Sequence, residues 1–164
     1  MYFDLVKGSA EIRKLEKHEQ PPSELLLLAD PSEDQISSYI KQSKIFIAEV
    51  DSHVVGVCAI SETSTSNYEI QNIAVAESAQ GHGIGTQLLQ RAIAYVQSLN
   101  AETLITCTAD TSAGQQYLYQ KVGFHADAID KDYFIRQYTH PIYENGTQCR
   151  DRVIMRMNFK KISH

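Results

Sequence analysis

Two hydrophobic periods alternate along the chain, one of two residues and one of three to four. Ile45 to Val50 and Val54 to Ile60 are β-rich runs joined by Asp51-Ser52-His53, which predicts an antiparallel hairpin. Glu69 to Ala76 places the apolar run Ile73, Ala74, Val75 and Ala76 behind an alternation of Ile70 with polar neighbours, which predicts a mostly buried strand. From Ile84 the period lengthens, and Ile84, Leu88, Leu89, Ala92, Ile93, Val96 and Leu99 share one helical face, with Asn100 as a stop. Thr103 to Thr108 predicts another strand. Ser112 to Lys121 predicts a helix with Ser112 as a cap and Gly123 at the left-handed stop position. Phe124 to Ala128 and Arg152 to Phe159 read as closing strands, the latter with Val153, Met155, Met157 and Phe159 on one face. The intervening helix makes 69–76 and 103–108 a parallel pair with a right-handed crossover.

Upstream, Tyr2 to Val6 reads as a first strand, whereas the charged stretch Ile12 to Gln20 gives no clear element. Leu25 to Ala29 reads as a short helix. Asp30-Pro31-Ser32-Glu33 reads as an N-cap, a first-turn proline and an acidic third residue for a helix running to about Gln42. Ser61 to Asn67 reads as a polar connection, and Tyr133 to Gly146 as a long aromatic connection where specificity is expected to reside.

Length and composition add bounds. With 164 residues, 43% hydrophobic and 21% charged, the chain is expected to be a single domain, 1–164, without a separable linker. A formal charge of −5 leaves no basic footprint for nucleic acid. The N-terminus lacks a basic segment followed by a long apolar one, and the apolar run Leu25 to Ala29 is too short to span a bilayer, so a cytoplasmic, non-membrane protein is expected. Cys58, Cys107 and Cys149 are odd in number and widely spaced, which suggests neither a disulfide framework nor a metal site. No internal repeat is evident.

The chemistry concentrates in Gln80-Gly81-His82-Gly83-Ile84-Gly85, between a strand and a helix. The first N–H groups of a helix lack partners and sit at its positive end, so such a turn is an anion site. The glycine spacing fits neither a dinucleotide fingerprint nor a P-loop. It fits Gln/Arg-x-x-Gly-x-Gly/Ala, and with Asn72-Ile-Ala-Val before it and Leu118-Tyr119-Gln-Lys-Val-Gly123-Phe124 after it, the chain resembles the GNAT superfamily of acyl-CoA-dependent N-acetyltransferases.

The resemblance implies a mixed α/β fold: a mostly antiparallel sheet flanked by helices on both faces, with a splayed parallel strand pair. It also implies acetyl-CoA as cosubstrate, bound by the backbone around Gly81, His82, Gly83, Ile84, Gly85 and Thr86, with Gln80 bordering the turn. Ile73, Ala74 and Val75 would receive the pantetheine, and the Val75 amide would polarise the acetyl carbonyl. His82 stands where many members carry Arg or Lys, and a solvated side chain is expected. Ser112 stands where the family often has an Asn that contacts the cofactor arm. Tyr119 matches a tyrosine that commonly protonates the departing thiolate, while Tyr117 is expected in the core. Glu69, eleven positions before Gln80, occupies a general-base position; it is equally readable as the solvent-facing residue of a half-buried strand. Gln71 faces the same way and is a substrate-binding candidate. Tyr133, Tyr138, His140, Tyr143 and Glu144 would form an aromatic and acidic pocket for an amine, or else cover a sheet edge or dimer contact. The expected activity is acetyl transfer to a primary amine, a small one favoured, by direct attack in a ternary complex. The rivals are a non-catalytic acyl-CoA-binding regulatory domain and a protein or peptide acetyltransferase. No metal is expected, and a homodimer is plausible from the family.

Overall fold

In a computed structural model, residues 10–160 are described, and they group into two compact units divided between Ala101 and Glu102. The strand expected at Tyr2 to Val6 lies outside the described residues.

The first unit is an antiparallel sheet of β1 (Glu11–Lys14), β2 (Lys44–Val50), β3 (His53–Ser64) and β4 (Asn67–Val75), each paired with the next. The β2–β3 turn is the expected one, with Asp51 and Ser52 at positive φ (50° and 66°), the two-residue geometry that matches strand twist. β1 falls in the charged stretch that gave no pattern. Arg13 donates to the Glu19 carboxylate at 2.7 and 2.8 Å and also to Glu49, and the Arg13 bonds to Glu19, with the bond from the Glu16 N–H, hold the Glu19 carboxyl down at about 2. The connection is shorter than Ser61 to Asn67: β3 continues to Ser64, pairing Ser61 with Glu69 and Glu62 with Tyr68, and the chain reverses at Thr65-Ser66, with Ser66 at φ 66°.

Helices cover both faces of this sheet. On one, Leu25 and Leu26 of α1 (Ser23–Ala29) pack with Ile45, Ile47, Val57, Ala59 and Ala74, flanked by Ile36 and Ile40 of α2 (Glu33–Ile40). α2 starts later than expected. Ser32 is its cap, accepting from the Gln35 N–H at 3.2 Å, and Asp30 instead accepts from the Ser32 N–H at 3.1 Å. On the other face α3 (Ile84–Ser98) buries Ile84, Leu88, Leu89, Ala92 and Val96. Leu99 is 45% exposed, since the helix has ended before it.

In the second unit β9 (Arg152–Asn158) lies between β5 (Thr103–Ala109) and β6 (His125–Asp130), antiparallel to both. α4 (Ala113–Val122) ends as foreseen at Gly123, φ 115°. The Gly123 N–H bonds Gln120 O, the Phe124 N–H bonds Tyr119 O, and the Tyr119 and Phe124 rings meet edge to face at 5.8 Å, a Schellman stop with its apolar contact. The aromatic connection is partly ordered into α5 (Tyr133–Gln137) and a hairpin of β7 (Tyr143–Glu144) and β8 (Thr147–Gln148), turned by Asn145-Gly146.

Gly56 on β3 seats the start of α3: a Cβ there would stand 3.0 Å from Leu88 Cδ1, 3.2 Å from Ala48 Cβ and 3.3 Å from Ile84 Cγ2. Gly56→Val is therefore expected to cost about 1–3 kcal/mol by overpacking. Urea denaturation checks this, and an unchanged midpoint would show that α3 shifts freely.

Candidate active site

β4 ends at Val75, a 3-10 turn spans Glu77–Ala79, and Gly81 and Gly83 follow at φ 81° and 82°. Left-handed backbone at both positions explains the glycines, which adopt it without steric cost. A Cβ on either would meet no atom within 4 Å, so the space above the turn is open to a ligand's oxygens. Gly83 is the N-cap of α3, without a side-chain cap, and the first turn of that helix carries no acidic residue. The first N–H groups of α3 thus sit at an unshielded positive helix end, which suits a pyrophosphate. Gln80 does not reach over the turn; its Nε2 donates back to Val75 O at 2.9 Å. His82 is not simply solvated. Its Nδ1 lies 2.9 Å from Gln80 O and 3.3 Å from Ala79 O, and because carbonyls only accept, Nδ1 carries the hydrogen.

The Ala76 N–H bonds Val55 O at 2.8 Å, toward β3. Backbone groups alternate sides along a strand, so the Val75 N–H and C=O point away from β3, as the bond from Gln80 to that carbonyl also requires.

The register of β4 contains a slip that strict alternation did not foresee. Asn72 pairs with Ala59 and Ile70 with Ile60, leaving Gln71 as an extra residue. Ala59 and Ser61 share a face of β3, so the slip brings Glu69, opposite Ser61, to the same face as Asn72, which a period of two would deny. Glu69 is half-buried there. Gln71 donates from Nε2 to Ser61 Oγ at 2.9 Å. Asn72, read at first only as part of a motif, is 4% exposed and donates to Leu26 O at 2.9 Å and Tyr39 Oη at 3.0 Å.

In the second unit Tyr117 is not in the core where it was expected. Tyr117 is 65% exposed, with Lys121 Nζ 5.7 Å from its ring centre, and Tyr119 is 2% exposed. Ser112 is the N-cap of α4, but its side chain accepts no hydrogen bond from the helix; its hydroxyl donates to Glu144 Oε2, and Thr111 Oγ1 donates to the same oxygen at 3.2 Å. Glu144 therefore braces the start of α4 instead of joining Tyr133 and Tyr138. Those two rings meet at 6.3 Å, and the Arg152 guanidinium sits 4.0 Å over Tyr133, a cation–π contact made within the chain. Tyr143 is 63% exposed and His140 exposed.

Residues 10–124 match the Acetyltransferase (GNAT) family. This chain belongs to that family. A curated GNAT relative, the uncharacterized N-acetyltransferase YvbK of Bacillus subtilis, is 44% identical over 130 residues, 79% of this chain and 84% of its own. A GNAT acetyltransferase from Elizabethkingia anophelis, solved with acetyl-CoA bound, superposes with a TM-score of 0.90 at 36% identity over 93% of this chain and all (100%) of its own. An IAA acetyltransferase from Bacillus cereus superposes at 0.88 and 42% identity, covering 92% and 100%. The fold class expected from the sequence, a mixed and mostly antiparallel sheet with flanking helices, is therefore the GNAT fold, and the protein is an N-acetyltransferase of this family.

No helix among the described residues is long and apolar enough to cross a membrane, and no group of three or more His, Cys, Asp or Glu among them is arranged to hold a metal ion. All three cysteines are free thiols. Cys58 is fully buried, and loss of hydration pushes its thiol up to about 12, whereas Cys107 is partly exposed. Because the thiolate is the reactive form, alkylation of the native protein at pH 8 followed by mass spectrometry should label Cys107 first and Cys58 only on unfolding. Early labelling of Cys58 would show that the β2–β3–β4 core opens locally.

Proposed function

We propose that this GNAT protein transfers an acetyl group from acetyl-CoA to a primary amine by direct attack in a ternary complex, a small amine being the favoured acceptor. The open glycine turn at the positive end of α3, one short turn beyond Val75, carries this reading. Bound acetyl-CoA supplies an activated thioester. The residues fit it: Gly81 and Gly83 leave room for phosphate oxygens, and the N–H groups from Ile84 through Gly85 to Thr86 donate to them.

The Val75 N–H, directed away from β3, is assigned to the acetyl carbonyl, where negative charge develops as the amine attacks; one such donor contributes about 3–4 kcal/mol to lowering the barrier. Ile73 and Ala74 provide backbone for the pantetheine. Glu69 is assigned as general base, acting through water because a carboxylate is a weak direct match for an ammonium. Tyr119 is assigned to protonate the leaving thiolate. Its ring is held by Phe124, so only the hydroxyl can serve, and the assignment rests on the family block Leu118 to Phe124. Ser112 has one hydroxyl hydrogen, and it is committed to Glu144, so toward the cofactor arm it acts only as an acceptor.

Calorimetric titration with acetyl-CoA, then thiol release across polyamines, aminoglycosides, amino acids and lysine peptides, tests the reading. IAA, for which the Bacillus cereus relative is named, joins the panel. Binding with release is expected; binding without release from any amine would favour a regulatory acyl-CoA-binding domain.

Two substitutions test the parts. Gly83→Glu should abolish acetyl-CoA binding, with Gly83→Ala as the control that carries the backbone strain at φ 82° without the charge. Retained affinity in Gly83→Glu would remove the phosphate assignment. Tyr119→Phe should lower turnover by about 10- to 100-fold with unchanged acetyl-CoA affinity, and undiminished turnover would leave Tyr119 as a packing residue alone.

A further inference from the structure

Asn72 is 4% exposed, and its amide orientation is determined by its partners. The Leu26 carbonyl can only accept, so the atom 2.9 Å from it is Nδ2, which also donates to Tyr39 Oη at 3.0 Å. The Tyr39 hydroxyl then directs its own hydrogen to Asp30 Oδ2 at 3.4 Å. Both amide hydrogens are engaged. Oδ1 is buried and meets no donor among the described residues. A buried carbonyl left so costs about 1–3 kcal/mol, and a bound water is the usual partner.

The Gln71 slip places Asn72 and Glu69 opposite Ala59 and Ser61, two residues apart on one face and thus about 7 Å apart along the strand. One water between two side chains spans that interval. Gln71, between them in sequence, has its amide nitrogen bonded to Ser61 Oγ.

We infer that Asn72 Oδ1 holds the water through which Glu69 removes the acceptor's proton, which makes Asn72 a positioning residue. This rests on the reading of Glu69 as the base. In the step, the acceptor ammonium gives a proton to the water as the water gives one to the Glu69 carboxylate. The amine is left neutral with its lone pair free to attack, the water is regenerated, and Glu69 is a carboxylic acid.

A double-mutant cycle tests the inference on the full chain, using acetyl-CoA and whichever panel amine releases thiol fastest from the unmodified protein. Asn72→Ala should lower kcat by about 10- to 100-fold without changing acetyl-CoA Kd, and Glu69→Gln should lower it at least as far. Because the two residues act through one water, the double variant should be no slower than Glu69→Gln alone. Losses that multiply would overturn the inference. Tyr39→Phe removes a partner of the amide nitrogen but leaves Oδ1, so it should lower Tm and keep kcat within about 3-fold; a kcat loss equal to that of Asn72→Ala would assign the effect to structure and overturn it.

Normal turnover in Glu69→Gln would remove the base reading itself, and the inference with it. Should Asn72→Ala fail to fold, a crystal structure of the unmodified protein at better than about 1.5 Å decides the matter. A water hydrogen-bonded to both Asn72 Oδ1 and Glu69 is expected, and its absence would overturn the proposal.

Discussion

The slipped register at Gln71 is the constraint on which the rest of the first unit's chemistry depends. A regular strand sends residues 69 and 72 to opposite faces, one beneath α1 and α2 and the other beneath α3. With one extra residue in β4, Asn72 and Glu69 come to one face, while Ile70, opposite Ile60, stays in the core at 3% exposure. Asn72 can then tie α1, α2 and β4 together through Leu26 and Tyr39. The same strand therefore anchors the helices and presents a carboxylate beside the anchor. Removing the slip would put Glu69 and the α1–α2 corner on different sides of the sheet.

A second dependence runs through Gly56. The cradle proposed for the pyrophosphate belongs to the start of α3, and a turn of two left-handed glycines has little stiffness of its own. Its position is set by what holds the two ends. At one end Gln80 returns to Val75 O and His82 donates back to Gln80 O. At the other, Ile84 and Leu88 reach the bare backbone of Gly56. The side chains of the signature thus shape the turn, and the backbone N–H groups remain for the ligand. On the proposed reading this division of labour lets a His stand at position 82, because the anion's principal partners would be amides and the helix end.

Much of this was legible in the sequence, for identifiable reasons. α3, β2, β3 and β5 announce themselves by period, and the left-handed stop at Gly123 by residue type. The misreadings have physical causes. Glu62 to Ser64 is polar because that strand end faces solvent, and polarity does not distinguish it from the reversal at Thr65-Ser66 that follows. Asp30 and Ser32 are equally good caps, and only the hydrogen bond from Gln35 decides between them. Asn145-Gly146 is a strong hairpin signal, yet its flanking strands are two residues each, too short to show a period. The Gln71 slip leaves no sequence trace, since a bulge is a relation between two strands.

The places of Tyr117 and Tyr119 show what a sequence block means physically. Leu118 to Phe124 acts as a unit because it is a helix stop: Gly123 takes the left-handed turn, and the third residue from the helix end packs its ring on the residue after the glycine. That requirement places Tyr119 in the core and leaves Tyr117 outside. Likewise, the aromatic and acidic residues after Tyr133 satisfy one another: Arg152 over Tyr133, Asp130 shared by Arg136 and Arg152, and Glu144 on Thr111 and Ser112. A cationic acceptor would have to displace the guanidinium from Tyr133 before using its ring. Selectivity for an amine is therefore better sought on the face of β4 that carries Glu69 and Asn72, where a buried carbonyl still has a hydrogen bond to accept.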